Sequence, residues 1–213
     1  MTGQEEGAMI TLYGSNQSRS FRALWALEEV ETQYDYKQVK IGSHEDNGTQ
    51  TESYKQLNFQ GKVPTLVDDN IVITESAAIL NYIARKFLEY ELIPINNSML
   101  RAKYDEVCYF VLSDLEQPLW TFGKHKFVLP QELRLKAINK TTHWEFAKSQ
   151  ATLEHYLNDK EFAIGNHFTM ADILIAQTLH WANSFKFDVS EPLLGYTKRM
   201  YERSACRRAL QKA

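Results

Sequence analysis

Hydrophobic and polar positions fall into a strand-like spacing early in the chain and a helical one later. Met9-Ile10-Thr11-Leu12-Tyr13 is a short apolar run stopped by Gly14, which predicts a strand. A polar loop with capping residues succeeds it at Ser15-Asn16-Gln17-Ser18. Phe21, Leu24, Trp25 and Glu28 then recur on successive turns and predict a helix ending near Val30. Tyr34 to Ile41 carries aromatic and β-branched residues and reads as a second strand. Strand, helix, strand in that order implies a right-handed parallel crossover. A short helix is expected over Glu52 to Leu57 and a third strand after Val63-Pro64. Val67 and Ile71-Val72-Ile73 flank Asp68-Asp69-Asn70, the pattern of a hairpin with a polar turn. Glu75-Ser76 heads a helix whose Ile79, Leu80, Ile83 and Phe87 keep helical spacing. The order is β-α-β-α-β-β-α, an α/β domain with a mixed sheet.

Strand signals stop at Leu88 to Asn97, a linker containing Pro94. From Ser98 onward the chain is helical in pattern. Tyr104, Val107, Cys108, Val111, Leu112 and Leu115 form one apolar stripe, and Pro118 is expected to end or kink that helix. Leu133, Ala137, Trp144, Ala147 and Ala151 mark a second stripe. Ile173 to Ala182 is apolar nearly all round, as in a helix buried at a domain centre. Thr169 before it, with Asp172 three residues on, reads as an N-cap. The expected organisation is an α/β domain over 9–88, a linker over 89–97 and an all-helical domain over 98–213, with Met1 to Ala8 a loose terminus.

Composition narrows the function classes. The 213 residues carry a net charge of −3, which gives no reason to expect a nucleic-acid partner. The basic tail (Lys198, Arg199, Arg203, Arg207, Arg208, Lys212) is interleaved with Met200, Tyr201, Ala205 and Leu210 and reads as a solvated helix face. The two cysteines, Cys108 and Cys206, form no C-x-x-C pair. The six histidines are scattered without an H-E-x-x-H, so no metal site is expected. No signal-peptide-like or membrane-length apolar run occurs, so the expected location is the cytoplasm.

The candidate chemistry lies in Gly61-Lys62-Val63-Pro64-Thr65-Leu66 and Thr74-Glu75-Ser76. Taken singly, a Val-Pro pair marks a turn, a sheet edge or a cis bond, and Glu-Ser in a first helical turn is a cap. A helix start also offers free N–H groups and a positive dipole end to a bound carboxylate. At this spacing the two pieces together resemble the glutathione-binding motif of the glutathione S-transferase superfamily. The run Ser18-Arg19-Ser20-Phe21-Arg22-Ala23-Leu24-Trp25-Ala26-Leu27 resembles the first helix of its bacterial and fungal members. The resemblance extends from Met9 to about Arg208. It implies a thioredoxin-like first domain followed by an all-helical second domain.

It further implies glutathione as co-substrate with no permanently bound cofactor, a small hydrophobic electrophile or an organic hydroperoxide as second substrate, and a homodimer. Glu75 and Ser76 would hold the γ-glutamyl end, Val63 before Pro64 would pair with the cysteinyl amide, and Lys62 would meet the glycine carboxylate or remain a solvated loop lysine. At a thiol pKa of about 8.5 only roughly 3% of glutathione is thiolate at pH 7. One hydroxyl donor to the sulfur, helped by a helix N-terminus, suffices to change that. Ser18 falls four residues after Gly14, as the catalytic Ser of Ser-type members does; counted back from Arg22, Gln17 takes that place. Ser15, Asn16, Gln17 and Ser20 are the rival donors, and Ser18 as a plain cap is the competing reading. Tyr13 lies inside the first strand, and the absence of a nearby cysteine argues against thiol–disulfide exchange. Tyr104, Cys108, Tyr109 and Trp120 are either an electrophile pocket or ordinary core. The alternative to an enzyme is a binding or regulatory module that keeps the fold.

Overall fold

The structure is a computed structural model that describes residues 9–16 and 18–213. The chain divides into two compact units, one running to Tyr90 and including Ser204–Ala213, the other Glu91–Arg203.

The first unit is a four-stranded sheet in the order β2-β1-β3-β4. Strand β1 (Ile10–Gly14) pairs in parallel with β2 (Tyr34–Gln38) through helix α1 (Ser20–Glu29), as the crossover rule requires. After the short helix α2 (Glu52–Leu57), strand β3 (Thr65–Asp68) runs antiparallel to β1, and β4 (Ile71–Thr74) antiparallel to β3. Helix α3 (Ser76–Lys86) buries Ile79, Leu80, Ile83 and Ala84, and α1 buries Leu24, Trp25 and Leu27. Helical spacing selects Leu24, Trp25, Ile79, Leu80 and Ile83 among these; Phe87, expected with them, stands half-buried at the end of α3, and α1 is buried all round from Ser20 to Glu28. Strand β2 is shorter than its sequence suggests. Pairing stops at Gln38, and Lys40 instead bridges to Gly48 across a loop.

The second unit is helical. Helix α4 (Ser98–Phe110) continues through a π-helical turn at Val111–Leu115 into α5 (Gln117–Gly123), where Pro118 occupies the first turn. There its missing N–H costs nothing. A second π-helical turn, Lys124–Val128, comes next. Helix α6 (Ile138–Leu157) corrects an expectation. Its buried face is Thr142, Phe146, Leu153 and Leu157, while Trp144, at 65% exposure, lies with the exposed Ala147 and Ala151; Leu133 belongs to a separate 3-10 turn, Gln131–Leu133, and Ala137 precedes the helix. Three small alanines gave that stripe its apparent polarity. Phe146, Leu153 and Leu157 bury far more area per residue and decide which face turns inward. Helix α7 (Met170–Ser184) is buried nearly all round. Its Thr169–Asp172 capping box is present, with Asp172 accepting from the Thr169 and Ala163 N–H groups, each at 2.8 Å. Helix α8 (Glu191–Tyr201) supplies Tyr196, whose hydroxyl donates to the same carboxylate.

Helix α9 (Ser204–Lys212) departs from the expected domain boundary. It packs against α1 in the first unit, burying Ala205, Cys206 and Ala209, rather than joining the helical unit. Two of the tail cations, Arg208 and Lys212, pair with Glu28 instead of facing only water.

Candidate functional site

Register brings the candidate residues of the first unit to one end of its sheet. Tyr13, Thr65 and Thr74 are paired across β1, β3 and β4. Beyond them the chain leaves β1 at Gly14, enters β3 from Val63-Pro64 and leaves β4 into Glu75-Ser76. Three segments far apart in sequence therefore converge because antiparallel pairing alternates strand direction.

Each segment has a local cause. At Gly14 a Cβ would lie 2.8 Å from both Ser20 Cβ and the Tyr36 ring, so only glycine lets the chain turn here beneath α1. In the adjoining loop, Ser18 is half-buried. Its Oγ lies 2.6 Å from the Ser15 carbonyl oxygen and 2.9 Å from Ser20 Oγ, and it accepts the Ser20 N–H at 3.1 Å. A hydroxyl has one hydrogen, so it donates to one of the two acceptors at a time. Ser20 is fully buried and is thereby removed as a rival donor to a ligand. Ser15 is half-buried and Asn16 exposed, so both stay in contention; Gln17 lies outside the described residues. The first N–H groups of α1 are taken within the loop: Ser20 donates to Ser18 Oγ at 3.1 Å, and Phe21 and Arg22 donate to the Ser18 and Arg19 carbonyl oxygens, each at 3.2 Å.

The Val63–Pro64 peptide bond is cis. Val63 stands outside the β3 ladder, whose first pair is Thr65, and is free to bond an added extended chain. The approach to it is held by residues that sequence reasoning missed. The Lys62 carbonyl accepts from the Tyr54 hydroxyl at 2.7 Å and from Asn58 Nδ2 at 2.9 Å. Both donors also reach Thr65 Oγ1, at 3.0 and 3.1 Å. The only sequence signal was an Asn and a Tyr upstream of Gly61, too common to single out. The Lys62 side chain is exposed. Gly61, at φ +61, would push a Cβ to 2.8 Å from the Thr49 carbonyl.

Glu75 is exposed and takes φ 68°, ψ 115°, a conformation that a residue with a Cβ rarely adopts. This turn aims its carboxylate outward and delivers Ser76 as the first residue of α3. Ser76 is buried, and its Oγ accepts from Arg22 Nη1 at 3.1 Å. The first turn of α3 carries no acidic residue and no side-chain cap. A free carboxylate above and open N–H groups below suit a ligand with an ammonium beside a carboxylate.

The four residues expected to form an electrophile pocket do not share one surface. Tyr104 and Cys108 are buried in the core of the helical unit at 1% and 7% exposure, whereas Tyr109 is 66% exposed on another face of α4. Five residues along a helix turn the side chain well over a quarter-circle from Tyr104, which separates them. Burial pushes the Cys108 thiol up to about 12, so it is no nucleophile. Trp120 is half-buried. Among the described residues no His, Cys, Asp and Glu cluster could hold a metal, and no helix is long and apolar enough to cross a membrane.

The family model described as glutathione S-transferase, N-terminal domain, matches residues 8–85, and that described as glutathione S-transferase, C-terminal domain, matches 119–203. The chain belongs to the glutathione S-transferase family. A probable maleylacetoacetate isomerase of Caenorhabditis elegans is 32% identical over 81% of this chain and 78% of its own length. Glutathione S-transferase GstA of Escherichia coli O157:H7 is 26% identical over 75% of this chain and 77% of its own. The glutathione S-transferase of Xylella fastidiosa shares the fold with a TM-score of 0.83 at 22% identity, covering 95% of this chain and 98% of that one. A sphingomonad glutathione S-transferase solved with glutathione gives a TM-score of 0.80 at 25% identity, with the same coverage. The thioredoxin-like and helical parts are thus those of this family.

Proposed function

We propose that this protein binds glutathione at the Val63 end of the sheet and directs its thiolate at small electrophiles. The single observation that carries this is the convergence of Val63, outside its ladder, with Glu75 and Ser76 at the open start of α3. Val63 pairs with the cysteinyl backbone, Glu75 takes the γ-glutamyl ammonium, and Ser76 with the α3 N–H groups takes the adjacent carboxylate. That fixes the sulfur near the Gly14–Ser18 loop, where Ser18 donates to it and Lys62 is left to meet the glycine carboxylate. Calorimetric titration with glutathione, paired with turnover of a chromogenic chloronitrobenzene, tests the reading. Binding without turnover would leave the non-catalytic module, and no binding would remove both.

A second reading is favoured by the 32% identity to a probable maleylacetoacetate isomerase. Here the thiolate adds to one end of a conjugated cis double bond, the resulting single bond rotates, and elimination returns the trans alkene with glutathione regenerated. Product formation that exceeds the glutathione supplied separates this from conjugation. Reduction of an organic hydroperoxide, which consumes two glutathione molecules per turnover, is distinguished by the appearance of glutathione disulfide. Of the residues expected to meet the second substrate, Tyr109 and Trp120 retain exposed surface. We also place the protein in the cytoplasm as a homodimer. Phe59, 89% exposed on the loop before Gly61, is the apolar side chain whose burial a dimer would explain. Light scattering that gives a monomer mass at micromolar protein would overturn the dimer.

A further inference from the structure

Arg22 carries the family resemblance in sequence, yet the proposed binding scheme leaves it without a task. It stands in the first turn of α1, fully buried, with Nη1 on the Ser76 hydroxyl at 3.1 Å. A guanidinium only donates and keeps its charge in any protein environment. Ser76 Oγ is consequently the acceptor in this bond, and its one hydrogen must point elsewhere. Ser76 opens α3, whose first N–H groups are uncapped and whose first turn lacks an acid. Three features of the same sign meet here: a buried cation, a helix N-terminus and a hydroxyl forced to donate. A lysine at this position would carry the charge but not the planar fork that reaches from α1 to α3.

We propose that Arg22 is a positioning residue that fixes Ser76 as a donor to the γ-glutamyl carboxylate and places a permanent positive charge behind it. This rests on the glutathione site assigned under the proposed function. Arg22 touches neither ligand nor sulfur, so it sets the affinity for one end of the tripeptide and leaves the thiol end alone. The merely structural alternative is that it ties α1 to α3.

The two are separated with a glutathione analogue in which hydrogen replaces the γ-glutamyl α-carboxylate. Calorimetry on the wild-type protein should show glutathione bound about thirtyfold more tightly than the analogue. Arg22→Gln should bring that ratio below about threefold, mainly by weakening glutathione, with kcat kept and KM raised. Arg22→Lys, which restores the charge, should recover part of the ratio. An Arg22→Gln protein that melts earlier but keeps the full ratio overturns the proposal in favour of a structural tie. A wild-type protein that does not prefer glutathione overturns the site assignment, and the proposal with it. Should both variants fail to fold, the guanidinium 15N signal of Arg22 is followed in the wild-type protein. It should shift on saturation with glutathione and not with the analogue, and equal responses to the two ligands overturn the proposal.

Discussion

Arg208 on α9 donates from Nε to Glu28 Oε2 on α1 at 2.8 Å, although 180 residues separate them. Its Nη2 also reaches the Glu28 carbonyl at 2.6 Å, while the Lys212 ammonium and the Tyr34 hydroxyl share Oε1. Glu28 is only 7% exposed at its side chain, so burial alone would push its pKa up. The hydrogen bonds from Lys212, Tyr34 and Arg208 outweigh that and hold it below the ordinary value of 4.5. The end of the chain is thereby latched to the helix that begins at the candidate thiol site.

Because the folded pKa of Glu28 is depressed, its contribution to stability is present above about 4.5 and is lost as pH falls through the folded value. Urea unfolding of the wild-type protein at pH 7 and pH 4 should show this loss, and Glu28→Gln should shrink the difference. Arg208→Ala should lower stability by about 1–2 kcal/mol at pH 7, less than a fully buried pair because Arg208 is 39% exposed and Lys212 remains. An Arg208→Ala protein as stable as the wild type would mean the latch is dispensable.

Glu75 sets stability against binding. Its φ of 68° suits glycine, so Glu75→Gly should raise stability by about 0.5–1 kcal/mol while removing the carboxylate. Glutathione affinity should fall by about 2–4 kcal/mol, the loss of a charge-assisted contact to the ammonium. Paired thermal melts and calorimetry check both signs. A glycine variant that binds normally would move the ammonium site elsewhere.

Much of this architecture was readable from side-chain period alone. Strand β1, helix α1, the Asp68-Asp69-Asn70 hairpin and the start of α3 at Ser76 are set by runs whose spacing admits one element type. The candidate site was readable only where its residues are unusual neighbours, as Val63-Pro64 and Glu75-Ser76 are. The Tyr54 and Asn58 bonds to the Lys62 carbonyl were not, because polar side chains carry no period and their partners are set by the fold. Nor could spacing say which unit α9 would join. An amphipathic helix shows which face is apolar and nothing of what covers it, and here the covering surface is α1. On α6 the period was right and the face wrong, since counting alanines as core weighs them equally with Phe146.

The Tyr54 and Asn58 bonds make the segment before Val63 a test of preorganisation. Asn58→Ala removes a buried donor to the Lys62 carbonyl while Tyr54 keeps the other. Stability should drop by about 1–2 kcal/mol, and KM for glutathione should rise severalfold because Val63 is less firmly presented. Steady-state kinetics with glutathione varied checks this. A change in kcat at constant KM would show that these residues act on the chemistry instead.

The role proposed for Ser18 is the one that turnover tests most directly. Ser18 Oγ lies 2.6 Å from the Ser15 carbonyl oxygen and 2.9 Å from Ser20 Oγ, the two acceptors open to its hydrogen, and the Ser20 N–H donates to it at 3.1 Å. To serve the sulfur the hydroxyl must swing its hydrogen away from both acceptors. The Ser20 N–H then stays on the oxygen and makes the O–H a stronger donor. Ser18→Ala removes the hydroxyl from all these contacts, so about 1 kcal/mol of stability should be lost whichever role is correct. The catalytic role adds a second effect. Turnover should fall roughly ten- to a hundredfold, the loss of one donor to a charged acceptor, and the bound thiol's pKa, read from thiolate absorbance, should rise towards its solution value. Glutathione affinity should change little, because the proposed contacts of Val63, Glu75 and Ser76 to the rest of the tripeptide are left intact. A Ser18→Ala protein that melts earlier yet ionises glutathione normally would reduce Ser18 to a loop tie. The donor would then be sought at Asn16 or Ser15, the remaining described residues of the loop with exposed polar groups.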